Sequence, residues 1–291
     1  MSGSVQQALP GNYDAQLKMS SVVSDFDECI TRYRSLSLET RKVINRHVEC
    51  SYGASALERV DVFLPDSIST SRRIHVFFHG GYWRAFDKSD YSFVARPIVD
   101  TDSVAIVANY GLLPSISMRQ LIAQCRTVIC WLHTNAFRFN ASPDRISISG
   151  HSAGAHIAAI LSLTRWAEHN MPDDIIKSTL AVSGIYDLEP ILHSFLRAET
   201  CITAEDVARF SPVNWVDRDR RSIAPLFLAV GEEETDEFQR QSTVFAQTLS
   251  KHALDVSLQR IAHRHHMNVV LDLGDSQAEL GRKLVEIILA T

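Results

Sequence analysis

The chain has 291 residues, 45% of them hydrophobic, 22% charged and 8% aromatic; this globular composition excludes a disordered, collagen-like or coiled-coil protein and fits one large domain or two small ones at ~150 residues each. Its 29 basic and 34 acidic side chains leave a net charge of −5 with no long like-charge run, so neither nucleic acid nor an anionic membrane is an expected partner. No window approaches the ~18 uninterrupted apolar residues of a membrane span, and Met1 to Pro10 lacks the basic head and apolar stretch of a leader, so a soluble, non-secreted protein is expected.

Residues 1 to about 25 are polar and Ser-rich and predict an irregular arm. Phe26 to Val48 is dominated by helix formers, with Ile30, Tyr33, Leu36, Leu38, Val43 and Ile44 loosely spaced, and predicts one or two short helices. After Tyr52-Gly53, the residues Leu57, Val60, Val62 and Leu64 predict a strand closed by Pro65. Short β-branched or apolar runs follow at Ile74 to Phe78, Val104 to Ala108, Ile146 to Ser149, Thr179 to Val182, Leu226 to Val230 and Val256 to Ile261. Amphipathic stretches separate them. Ile116 to His133 places Met118, Leu121, Ile122, Cys125, Val128, Ile129 and Leu132 at the i, i+3, i+4, i+7 spacing of a buried stripe, and similar stretches run through 152–168, 236–252 and 277–290. Strands buried on both faces and separated by helices predict an α/β fold whose mainly parallel sheet is covered on both sides. About forty residues lie between Val182 and Leu226, more than one crossover helix needs. That interval predicts a lid carrying Ile191, Leu192, Phe195 and Leu196.

Gly150-His151-Ser152-Ala153-Gly154 has the form G-x-S-x-G directly between a predicted strand and a predicted helix. A serine on so tight a turn needs small neighbours, which Gly150 and Gly154 supply, and the N–H of Ala153 would face a developing negative charge at the helix N-terminus. Upstream, His79-Gly80-Gly81-Tyr82-Trp83 ends the strand Ile74 to Phe78; there the N–H groups of Gly81 and Tyr82 could complete an oxyanion hole with Ala153. A serine nucleophile needs a base, and the base needs an acid to fix its tautomer. Gly231-Glu232-Glu233-Glu234-Thr235-Asp236 offers the acid and His263-Arg264-His265-His266 the base, in the chain order Ser, acid, His. On the residues alone both choices stay open, although Glu232 and Asp236 read better as a solvated loop and helix start than as the acid. No acid stands at ligand spacing beside the histidines, so no metal site is expected. The remaining histidines (His47, His75, His133, His156, His169, His193 and His252) read as surface or core residues, and Cys125 and Cys130 as core. The five cysteines, irregularly spaced and without C-x-x-C, read as reduced thiols in a cytoplasm rather than as a disulfide framework.

The chain resembles the α/β-hydrolase superfamily, and within it the arylformamidase (kynurenine formamidase) branch close to the hormone-sensitive-lipase-like esterases. The resemblance runs from Ser51-Tyr52-Gly53 and Val60-Asp61-Val62-Phe63-Leu64-Pro65 through His79-Gly80-Gly81-Tyr82-Trp83, Asn109-Tyr110 and the serine pentapeptide. It continues through Ser183-Gly184-Ile185-Tyr186-Asp187-Leu188-Glu189-Pro190 and Ser211-Pro212 to the C-terminal acid and histidine segments, about five-sixths of the chain. The segment Glu234 to Ser242 is similar to the family's acid-S-P-E-F-x-R-Q-S stretch and His266-Met267-Asn268-Val269-Val270 to its H-F-x-hydrophobic-hydrophobic stretch, which implies Glu234 as triad acid and His266 as base. Glutamate stands where aspartate is commoner in the branch, and Met267 where an aromatic is usual.

The resemblance implies an α/β-hydrolase fold with 1–50 as arm and cap helices and 51–291 as catalytic domain, the insertion 185–222 completing a small cap. It implies a serine hydrolase without metal or organic cofactor, in which Ser152, His266 and Glu234 form the triad and Gly81, Tyr82 and Ala153 the oxyanion hole. Tyr82, Trp83, Phe195 and Met267 are the expected substrate-binding residues. The implied substrate is an N-acyl aromatic amine of the N-formylkynurenine or N-acylanthranilate type. A carboxylesterase acting on short or medium acyl esters or lactones is the alternative, and a catalytically silent binding protein of the same fold a distant one. Arg84, Arg197 and Arg209 are candidate partners for a substrate carboxylate. A homodimer and a monomer fit the sequence equally.

Overall fold

The computed structural model describes residues 12–216 and 223–291. Its strands are β1 (His47–Ser51), β2 (Arg59–Phe63), β3 (Arg72–Phe78), β4 (Val104–Ala108), β5 (Ala141–His151), β6 (Ile176–Val182), β7 (Leu226–Gly231) and β8 (Val256–Ile261). The helices are α1 (Tyr13–Leu17), α2 (Met19–Val22), α3 (Phe26–Val43), α4 (Ala95–Asp100), α5 (Met118–Asn135), α6 (Ala153–Ser162), α7 (Glu189–Leu192), α8 (Leu196–Thr200), α9 (Ala204–Phe210), α10 (Asp236–Lys251) and α11 (Glu279–Leu289).

One eight-stranded sheet runs in the order β1-β2-β4-β3-β5-β6-β7-β8. The pairs β1·β2 and β2·β4 are antiparallel and the other five parallel, the mainly parallel sheet expected from the alternating pattern and the α/β-hydrolase fold implied by the resemblance. All five residues of β4 are buried, as a β-branched run covered on both faces requires. The stripe expected on the helix after it is the buried face of α5, whose start is fixed by a capping box between Ser117 and Gln120. α6 is buried throughout and packs on β3, β5 and β6. Two histidines of this core stay neutral: burial pushes His75, held between Ser147 and Ser149, down to about 3 and His156 to about 4.

The N-terminal region departs from the sequence expectation. Phe26 to Val48 holds one 18-residue helix, α3, and then the unforeseen strand β1. β1 escapes pattern reading because only Cys50 of its five residues is buried; it is an edge strand defined by backbone pairing to β2, not by alternation. The buried face of α3 carries Cys29, Tyr33, Ser37 and Thr40, whereas Leu38 and Val43 are exposed. The arm is also more ordered than expected from residue 12 onward, where α1 and α2 bury Tyr13, Leu17 and Met19. Residues 1–11 of that arm, and 217–222 of the insertion, lie outside the described residues. The rest of the insertion forms α7, α8 and α9, with Ile191 and Leu196 buried and Leu192 and Phe195 half-buried.

Candidate active site

The serine lies where β5 passes into α6 with no intervening loop. Ser152 has φ 56° and ψ −117°, a strained conformation for a residue with a side chain, and its N–H is tied to Val182 O of β6 at 2.9 Å. The flanking glycines are sterically required: a Cβ on Gly154 would stand 1.9 Å from Phe78 O, and one on Gly150 2.2 Å from Gly154 O. The helix start is thereby pressed against the end of β3.

His266 comes from the loop after β8 and Glu234 from the turn after β7, and the three side chains meet under cover. His266 Nε2 lies 3.0 Å from Ser152 Oγ, and His266 Nδ1 lies 2.8 Å from Glu234 Oε2. Glu234 Oε1 accepts from the Gly231 N–H at 2.7 Å and from the Ser183 hydroxyl. An acceptor-only carboxylate on Nδ1 puts the ring proton there and leaves Nε2 free to take a proton from the serine. The ring is packed by Phe238 at 4.1 Å and by His151 at 4.9 Å between centroids. Burial, then the neighbouring His266, hold His151 well below the usual histidine range, and its Nε2–H donates to His266 O at 2.9 Å. The other members of the two clusters point elsewhere: His263 and Glu232 are exposed, and Asp236 opens α10.

The glycine loop after β3 abuts the serine, since a Cβ on Gly80 would come 3.3 Å from Ser152 Cβ. Gly81 (φ 104°) and Tyr82 (φ 50°) both have left-handed backbone. Tyr110 anchors the loop through its hydroxyl to His79 O, and His79 Nε2 reaches Asn109. Among the described residues the N–H groups of Gly81, Tyr82 and Ala153 have no acceptor, an arrangement able to receive an oxyanion.

Ser152, His266 and Gly81 open onto a cavity of about 620 Å³ whose walls include Phe26, Ile30, Tyr82, Phe86, Phe195 and Met267. Three expected substrate-binding residues, Tyr82, Phe195 and Met267, are therefore at the wall. Trp83 is not: its side chain is fully buried, and its Nε1–H donates to His156 Nδ1 at 3.1 Å, so it faces the core. Of the arginines considered, only Arg84 lines the cavity, paired with Glu199 at 3.2 Å; Arg197 does not, and Arg209 borders a separate cavity. Arg34, paired with Asp90 at 3.1 Å, lines it without having been foreseen.

Among the described residues one group has metal-ligand proximity: Asp25, Cys29 and His265, with ligating atoms within 4.8 Å of one another. Asp25 and Cys29 are four residues apart, but His265 comes 236 positions later, which is why spacing concealed the group. His265 Nδ1 accepts the N–H groups of Met267 and Asn268 at 3.2 and 3.3 Å, which places the ring proton on Nε2, the atom a metal would need bare. Burial and Asp25 push the Cys29 thiol up to about 12, again against metal ligation at neutral pH. No helix among the described residues is long and apolar enough to cross a membrane.

The BD-FAE family model matches residues 60–249. The chain is 29% identical to kynurenine formamidase of Danio rerio over 261 residues, 89% of this chain and 87% of that protein. It is 26% identical to kynurenine formamidase of Salmo salar, covering 97% and 95% of the two chains. Among solved structures, the carboxylesterase EstE1 from a metagenomic library superposes with a TM-score of 0.71 at 16% identity, over 91% of this chain and 94% of that one. The chain belongs to the BD-FAE family and is a hydrolytic enzyme of the α/β-hydrolase type, in the branch of the arylformamidases and hormone-sensitive-lipase-like esterases.

Proposed function

We propose that the protein hydrolyses the amide of an N-acyl aromatic amine, of the N-formylkynurenine or N-acylanthranilate type, through a Ser152–His266–Glu234 triad and an acyl-enzyme. The observation that carries this reading is the relay Ser152 Oγ–His266–Glu234 at 3.0 and 2.8 Å on the floor of an aromatic-lined cavity, together with kynurenine formamidase relatives over most of the chain.

Ser152 Oγ attacks the acyl carbon while its proton passes to His266 Nε2, and Glu234 steadies the resulting imidazolium. The oxyanion is received by the N–H groups of Gly81, Tyr82 and Ala153. Collapse of the intermediate returns the proton from His266 to the leaving nitrogen, releasing the aromatic amine and an acyl-Ser152 ester. Water, deprotonated by His266, then cleaves that ester to the carboxylic acid and regenerates the serine. Besides substrate and water, these steps draw on side chains and backbone N–H groups. Tyr82, Phe195 and Met267 wall the substrate, and the N-terminal helices with α7, α8 and α9 of the insertion cap the 51–291 domain beside it. The five free cysteines fit a reducing compartment such as the cytoplasm.

A second reading, a carboxylesterase on acyl esters, is favoured by the apolar wall of Phe26, Ile30 and Phe86. Turnover of N-formylkynurenine, N-acylanthranilates of increasing chain length and p-nitrophenyl acyl esters by wild type and Ser152→Ala separates the two. Aryl-amide cleavage beyond what the amide-to-ester reactivity ratio allows, lost in Ser152→Ala, is the expected result. Turnover of activated esters alone would transfer the assignment to the esterase reading. Glu234→Gln and His266→Ala each lower kcat/KM by roughly three orders of magnitude or more, whereas Glu232→Gln, Asp236→Asn and His263→Ala leave it nearly unchanged.

A further inference from the structure

Helix α3 lies beside the site with two adjacent stripes facing it. Phe26, Ile30 and Arg34, four residues apart, line the cavity. Asp25, Cys29 and Tyr33, on the same spacing one residue earlier, meet the loop that carries His266. The Tyr33 hydroxyl donates to Met267 O across 234 positions of sequence, and both groups are buried. Asp25 Oδ1 lies 3.0 Å from His265 Nε2, and the Cys29 thiol points at the other oxygen of Asp25 at 3.5 Å. Tyr33 of α3 thus bonds the residue after His266, and Asp25, the residue that precedes α3, sits against the residue before it, while His266 O itself accepts from His151.

That restraint has a chemical consequence. His266 must keep Nδ1 on Glu234 and Nε2 on Ser152 at once, and its ring follows its backbone. A loop tethered only at its ends would let the ring leave one partner, whereas contacts at 265 and 267 fix the backbone on which χ1 turns.

We propose that Tyr33 and Asp25 are positioning residues that hold His266 in line for proton transfer. The inference rests on His266 being the general base. The loss caused by removing either contact falls on turnover and not on substrate binding, because neither side chain lines the cavity.

Full-length Tyr33→Phe and Asp25→Ala test this, with Leu38→Ala on the exposed face of α3 as control. Each test variant is expected to lower kcat about 10- to 50-fold with KM within about threefold, and to slow labelling of Ser152 by a fluorophosphonate in the same proportion. The downfield Nδ1–H proton resonance of His266 should broaden or move upfield in both. If Tyr33→Phe does not fold, the partly exposed Asp25 position carries the test alone. Wild-type kcat and labelling rates in the variants, or a loss confined to KM, would overturn the proposal. Full activity of Ser152→Ala would instead count against the triad reading, so the two failures are distinguishable.

Discussion

The Ser183 hydroxyl donates to Glu234 Oε1, which leaves Oε2 to His266 Nδ1 at 2.8 Å. Ser183 follows β6 at φ 55° and is itself tied to Ala229 O of β7 at 2.7 Å. Two neighbouring parallel strands thus present a donor to the carboxylate that lies against His266 Nδ1. Ser183→Ala removes that donor and leaves the one from Gly231. A hydrogen bond to a charged group contributes about 1.5–3 kcal/mol, so kcat/KM should fall roughly 10- to 150-fold. Steady-state kinetics on the best substrate checks this, and an unchanged rate would mean Gly231 alone orients the acid.

Gly154→Ala should damage stability and activity together. Its Cβ would need the space of Phe78 O, 1.9 Å away. Neither backbone can yield without moving Ser152 or the end of β3, a cost of about 3 kcal/mol and a melting midpoint lower by roughly 5–10 °C. Thermal unfolding monitored by circular dichroism reads it directly. A wild-type midpoint would show that the elbow is looser than its packing implies.

Trp83 separates core from pocket. With its ring buried and its indole N–H on His156, Trp83→Phe should cost about 1–3 kcal/mol of stability while KM stays within about twofold. Denaturant titration and Michaelis–Menten analysis on the same preparation decide it. A large KM change at unaltered stability would return Trp83 to the pocket wall.

Acid should unfold the protein partly through its buried histidines. His75 and His156 are held down to about 3 and about 4 by burial, against about 6.5 in an unfolded chain. Between those values the unfolded state binds the protons and the folded state does not. Stability is therefore full above about pH 6.5 and falls as the pH drops toward 4, by about 1.4 kcal/mol per pH unit for each histidine. Urea titrations at pH 7 and pH 5 should show the loss, and His156→Gln should lessen it by one histidine's share. An equal pH dependence in wild type and variant would remove His156 from the account.

Much of this was legible in the chain because it is written over short distances. The buried stripe of α5, the run of β4 and the strand–Gly-x-Ser-x-Gly–helix junction each depend on residues within one element or its immediate neighbour. Periodicity and backbone sterics act on that scale. What only the tertiary structure decided spans long separations. The resemblance implied Glu234 over Glu232, but its meeting with Ser183 and His266 exists only because β7 delivers it there. Tyr33 looks like any apolar helix position until the chain returns 234 residues later. Trp83 turns inward because His156 of α6 is there to receive its N–H, and β1 exists because β2 offers it an edge. No local pattern encodes such contacts, since each partner is chosen by how the sheet stacks its strands and not by the residues beside it in sequence.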